Sequence, residues 1–223
     1  MILLGIETSG KTASAAVCNQ DGIISQTSVL ANRTHSQIIM PIVKDVLRNA
    51  GLTLDALDGF TVSVGPGSYT GLRIGIAAVK AFGYALEKKC AGISTLESLA
   101  YNLAGVTGYI RPVMKARGEL AYTALFESDG KKILRISNDE IRPLTDIAEE
   151  TAALDGSVMI NGDGAELFAE YAEVLTAPPQ LRLQLASSLC YACFAKGDAA
   201  FAEPCCLNAD YMEATKAEKE LAQ

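Results

Sequence analysis

A few short stretches of this chain carry residues whose types and spacing could do chemistry. Glu7-Thr8-Ser9 sets a carboxylate and two hydroxyls in succession after the apolar run Ile2–Ile6. Further on, Gly65-Pro66-Gly67-Ser68-Tyr69-Thr70-Gly71-Leu72-Arg73 joins an apolar run to a stretch rich in glycine and alanine. Glycines let a backbone approach an anion or another backbone closely, and Ser68 or Thr70 can cap the amides of a helix that opens there. Such a turn can hold a phosphate. Asn161-Gly162-Asp163-Gly164-Ala165 is a second glycine turn, of a form shared by nucleotide pockets and by inert loops. Lys115-Ala116-Arg117 ends an apolar run and could face an anion. For Thr8, Ser9 and Gly10 a plain turn-and-cap role stands equally open.

None of these makes a catalytic set. His35 is the only histidine, so pairs built on histidine are unavailable, and its place before a helix reads as a cap or packing position. The six cysteines include Cys190-x-x-Cys193, inside an apolar helix-like run from Ala186 to Ala195, and the adjacent Cys205 and Cys206. Neighbouring cysteines seldom ligate one ion together, and the expectation is reduced thiols packed as small hydrophobes. No metal site is expected. The net charge of −7, without a Lys/Arg cluster, argues against gripping a polynucleotide unaided, because phosphate neutralisation supplies most of that affinity. The opening Met1-Ile2-Leu3-Leu4-Gly5-Ile6-Glu7 lacks a basic leader, and the longest apolar helix pattern, Ile74 to Leu86, is interrupted by Lys80. The expectation is a cytoplasmic protein with no membrane contact.

The elements that must position these residues recur in one order. Strands are expected at Ile2–Ile6, Thr12–Cys18 and Ile23–Val29, the last two joined by Asn19-Gln20-Asp21-Gly22 turn chemistry. A helix follows from about Ser36 to Ala50, then strand Phe60–Val64, helix Tyr69–Lys88 and strand Ala91–Ser94. After Tyr101 the order restarts: strands Ile110–Ala116, Ala121–Glu127 and Lys132–Ser137, helix Thr145–Ala153, strand Val158–Ile160, and a glycine turn into a helix reaching about Leu175. The expected fold is α/β: two halves, 1–103 and 104–223, each a mixed five-stranded sheet with flanking helices, the C-terminal stretch returning to the first half. This is the plan of the actin-like superfamily, in which ATP lies in the cleft between halves. In its kinases an aspartate near the position of Glu7 orients a metal-bound water; here the side chain is one methylene longer.

The helix at Tyr69–Lys88 has too little polar face. Arg73, Lys80, Tyr84 and Glu87 share one narrow stripe, and the rest of the wheel is apolar or small. Either this is a core helix, or Gly75, Ala78 and Gly83 permit close contact with another chain.

Gly5-Ile6-Glu7-Thr8-Ser9, His35-Ser36-Gln37 with Pro41, and above all Gly65–Arg73 resemble the TsaB (YeaZ) family, which takes part in threonylcarbamoyladenosine synthesis on tRNA. Gly162-Asp163-Gly164-Ala165, Tyr211-Met212 and Lys216-Ala217-Glu218-Lys219-Glu220 add to the likeness. The resemblance implies a two-domain actin-like fold without activity of its own, a degenerate relative of the transferase TsaD. Thr95 and Leu99 stand where TsaD carries its metal-binding histidines. It further implies a heterodimer with TsaD that TsaE, an ATPase, joins, a homodimer when alone, and tRNA contact only through TsaD. The implied partner interface comprises Ile39, Ile42, Val46, Arg73, Ile74, Ala78 and Ala81 on the two first-half helices. Glu7, Thr8, Ser9, Gly162 and Gly164 become vestigial phosphate loops, with no cofactor required and residual ATP or ADP binding in the cleft. Lys115-Ala116-Arg117 departs from the Asp-Ala-Arg of many members. A small-molecule or sugar-type kinase or ATPase of the same fold is the alternative, and a metal-dependent peptidase lacks both metal ligands and nucleophile.

Overall fold

The computed structural model describes residues 1–30 and 34–212; Lys216–Glu220 of the family likeness lies outside them. Two mixed sheets form the frame. The first runs β13-β5-β4-β1-β2-β3, with β1 (Ile2–Glu7), β2 (Thr12–Asn19), β3 (Ile23–Leu30), β4 (Gly59–Gly65), β5 (Cys90–Ser94) and β13 (Phe201–Ala202). β1, β4 and β5 are parallel; β2, β3 and β13 join antiparallel.

Side-chain alternation along β1 decides what lies on each face. Leu4 and Ile6 point to α1 (His35–Ala50) and α2 (Tyr69–Leu86), which cover one side through Ile39, Val43, Val46, Leu72, Ile76 and Val79. Leu3 points to α6 (Ala186–Lys196), which covers the other through Leu189, Cys190 and Cys193. Gly5 is the position where α6 crosses: a Cβ there would lie 2.5 Å from the Ala186 carbonyl oxygen. Each fully buried aliphatic side chain contributes roughly 1.5–3 kcal/mol.

The second sheet runs β10-β7-β6-β11-β12, with a β8–β9 hairpin added on β6. Its strands are β6 (Thr107–Lys115), β7 (Leu120–Thr123), β8 (Phe126–Asp129), β9 (Ile133–Arg135), β10 (Glu140–Pro143), β11 (Val158–Asn161) and β12 (Leu175–Thr176). α3 (Thr95–Tyr101) packs on one face and α4 (Leu144–Ala152) on the other.

The actin-like α/β plan holds, and the strand count differs from five in both halves. The first sheet gains β13 because the chain returns to it after α6. In the second, the expected strand Ala121–Glu127 is broken in two: β7 pairs with the end of β6 and β8 with its beginning. The helix expected to reach Leu175 stops after one turn, α5 (Ala165–Phe168), since Leu175 is drawn into parallel pairing with Met159 of β11. Among the described residues no helix is long and apolar enough to cross a membrane.

Candidate functional site

α1 is a one-faced helix. Ile39, Ile42 and Val46, expected on a partner surface, are buried against the sheet, because the i, i+3, i+7 spacing that aligns them also points them all inward. α1 starts where the His35 ring bonds the Gly10 carbonyl (Nε2–O 2.9 Å), and it ends at Gly51, whose φ of 66° is the left-handed C-cap glycine favours.

α2 differs on its outer side. Ser68 caps it, its hydroxyl oxygen accepting from the Gly71 N–H at 3.2 Å. Gly71, Leu72, Gly75, Ile76, Val79 and Gly83 face inward. Gly75 and Gly83 therefore do not serve a second chain: a Cβ on Gly75 would meet the Thr8 hydroxyl at 2.5 Å, and one on Gly83 would meet Cys90 and Pro204. Ile74 and Ala78 are half-buried, while Arg73, Ala77, Ala81, Tyr84 and Ala85 are exposed. The result is a face of alanines flanking Lys80 and Tyr84, with an aromatic cluster at its start. Arg73 lies 4.0 Å from the Tyr69 ring and donates from Nε to the Tyr211 hydroxyl at 2.9 Å, and the two tyrosine rings sit 4.6 Å apart. Tyr211 enters from the far end of the chain; no local pattern in the sequence marks it as Arg73's partner.

The expected phosphate loops are filled by the protein itself. Glu7 is fully buried; its carboxylate accepts from the Ser9 N–H at 2.6 Å and from the Ser63 hydroxyl. Burial holds its pKa above the ordinary carboxylate range, with Ser63 and Ser9 pulling the other way. Thr8 donates its hydroxyl to the Gly71 carbonyl at 2.7 Å, and the Ser68 N–H donates to the Ser9 carbonyl at 2.7 Å. Gly67 and Gly71 of the turn thus admit the backbone of Ser9 and Thr8, and Gly65 that of Asp210: a Cβ on Gly71 would collide with the Thr8 carbonyl. Gly162 (φ 95°) and Gly164 do the same against β6, where a Cβ at either would strike Val113.

What remains open between the halves is a cleft of about 400 Å³ lined by Ser9, Gly10, Lys11, Gly67, Ser68, Lys115, Arg117, Asp163 and Gln184, among others. The structure brings Ser9, Lys115, Arg117 and Asp163 together there and leaves Glu7 and Thr8 beneath its floor. Asp163 accepts from the Lys115 N–H at 3.0 Å. Lys11 and Gln184 join the lining without having stood out in the sequence. Ser9 Oγ and Gln184 Oε1 are buried with no hydrogen-bond partner among the described residues. A larger groove, about 960 Å³, lies between α4 and residues 171–175, and its charged lining is acidic, Glu149 and Glu173.

Thr95 and Leu99 are both fully buried, Leu99 packing with Leu96 and Ile110. Among the described residues no three His, Cys, Asp or Glu side chains group closely enough to hold a metal ion.

Comparison with known proteins places this geometry. Residues 18–191 match the family described as TsaD: tRNA N6-adenosine threonylcarbamoyltransferase. The tRNA threonylcarbamoyladenosine biosynthesis protein TsaB of Bacillus subtilis is 30% identical over 173 residues, 78% of this chain and 76% of that one. The TsaB of Escherichia coli is 33% identical over 132 residues, 58% of this chain and 56% of that one. Among solved structures, YeaZ from Pseudomonas aeruginosa superposes with a TM-score of 0.82 at 23% identity, over 95% of this chain and 99% of that one. With the transferase family's profile spanning most of its length and TsaB proteins among its relatives, the chain belongs to the TsaB (YeaZ) family of tRNA threonylcarbamoyladenosine biosynthesis proteins.

Proposed function

We propose that the chain is a non-catalytic cytoplasmic subunit that binds TsaD, and with it TsaE, to support threonylcarbamoyl transfer to the adenosine next to the anticodon of tRNA. The observation that carries this reading is the outer face of α2, where Ala77, Ala81, Ala85 and Tyr84 are exposed with Arg73 as the exposed charge beside them. Small alanines flanking the Arg73, Lys80 and Tyr84 stripe let a second helix approach closely, with the two cations and the aromatic ring offering it polar and stacking contacts. Arg73, Ile74, Ala78 and Ala81 form the contact with TsaD, and in its absence the same face joins two copies of the chain. tRNA is reached only through TsaD, in keeping with the net charge of −7.

Lack of catalysis rests on Glu7. Glu7 is fully buried and held by Ser9 and Ser63, so its carboxyl group is shielded from the cleft where a metal-bound water would stand. The cleft cations Lys11, Lys115 and Arg117 favour a polyphosphate, ATP or ADP, as an occupant that stabilises rather than reacts.

The test is reconstitution. Purified chain, TsaD and their mixture are each given the threonylcarbamoyl adenylate and unmodified tRNA, and threonylcarbamoyladenosine is measured by nucleoside mass spectrometry. The mixture exceeds TsaD alone, and the chain alone yields none. Modification by the chain alone contradicts the reading, and steady ATP hydrolysis lost on Glu7→Ala favours the kinase alternative.

A further inference from the structure

The six cysteines fall into two environments. Cys18, Cys90, Cys190 and Cys193 are buried. Burial pushes Cys90 up to about 11 and Cys193 up to about 12, so both remain thiols at neutral pH. Cys205 and Cys206 are exposed, consecutive in a 3-10 turn, with their sulfurs 3.8 Å apart. The turn is anchored on both sides: Pro204 is buried and meets α2 at Gly83, and Leu207 is buried in the core beneath α1 and α2. The Cys206 N–H donates to the Glu203 carbonyl at 2.9 Å, fixing the backbone between them. Two accessible thiols are thus held side by side on a rigid platform.

We propose that Cys205 and Cys206 form a vicinal dithiol site that a peroxide oxidises reversibly to an intrachain disulfide. One thiolate attacks a peroxide oxygen; the O–O bond breaks, leaving a sulfenic acid on sulfur and releasing hydroxide, which takes up a proton as water. The second sulfur then displaces hydroxide from the sulfenic sulfur: the S–O bond breaks, the S–S bond forms and a second water leaves. The two sulfurs supply the two electrons that reduce the peroxide, and both thiol protons end in water. Adjacent Cα atoms are about 3.8 Å apart, shorter than the usual disulfide range of roughly 4.4–6.8 Å. The closed ring is therefore strained, exposed and readily reopened by a dithiol reductant, the class of disulfide that serves as a labile modification. The pair adjoins α2, where Pro204 meets Gly83, so the thiols are reached in the monomer with the outer face of α2 uncovered.

The full chain, reduced and then treated with stoichiometric hydrogen peroxide, is alkylated, digested and analysed by mass spectrometry. The peptide carrying both cysteines loses the mass of two hydrogens and resists alkylation in most molecules, and a dithiol reductant restores it. The four buried thiols react only after denaturation. Cys205→Ser and Cys206→Ser each abolish the ring and leave a sulfenic acid that dimedone traps on the remaining thiol. Full alkylation of the pair after peroxide, irreversible sulfinic acid, or disulfides found only between chains overturns the proposal.

Discussion

α1 and α2 lie side by side over the same sheet and solve different problems. α1 divides cleanly, with Ile39, Ile42, Val43, Val46 and Leu47 inside and Met40, Lys44 and Arg48 outside. α2 keeps its bulky and glycine positions inside and turns alanines outward. An apolar residue on a helix wheel is thus informative about contact with a partner only once the inward direction is known. For α1 the apolar side is the core itself; for α2 apolar character is left over after the core is satisfied.

That contrast can be broken most severely from the inside of α1. Val46→Asp places an unpaired carboxylate in a site with no solvent access and costs about 3–5 kcal/mol; urea denaturation then shows a large fall in midpoint, and an unchanged midpoint would mean that α1 does not pack as described. Next in size is Gly71→Ala at the start of α2. Its methyl group collides with the Thr8 carbonyl, and overpacking of this kind costs roughly 1–3 kcal/mol. A thermal melt identical to wild type would return the glycine turn to the role of a ligand loop.

The smallest effect concerns Glu7, and its sign is fixed. Burial raises its pKa in the folded state, so the folded chain binds this proton more tightly than the unfolded one. The stabilisation is present below the ordinary carboxylate range and is lost as pH rises through the raised folded value. Glu7→Gln, whose amide can still accept from Ser9 and donate to Ser63, removes that loss. Its stability relative to wild type increases across the window just above the ordinary glutamate pKa, followed by denaturant titration at several pH values. A relative stability that falls over the same window would show Glu7 to be stabilised as an anion.

Much of the frame was legible in the sequence because its punctuation is local. Asn19-Gln20-Asp21-Gly22 sets the β2–β3 turn, Gly51 stops α1, and the apolar runs between them match the strands to within a residue or two. α3 was missed although Ser94 and Glu97 carry the spacing of a capping box; the Ser94 hydroxyl accepts from the Glu97 N–H at 3.2 Å. The end of α5 had no local signal, since strand pairing with β11 decides it. The site was less legible than the frame. Glycine turns that read as phosphate loops turned out to accommodate the protein's own backbone, a distinction set by what lies 60 or so residues away rather than by the motif. The aromatic clamp on Arg73 depends on Tyr211 and was illegible for the same reason.

The central claim is that the outer face of α2 receives TsaD, and Ala81→Arg tests it most directly, since position 81 is exposed and an arginine there costs the fold at most about 0.5 kcal/mol. Sedimentation velocity of the variant mixed with TsaD, alongside wild type and with matched thermal melts, is the measurement. Wild type forms a heterodimer; the variant, equally stable, sediments as a separate species from TsaD. A variant that still forms the heterodimer at wild-type affinity would contradict the account.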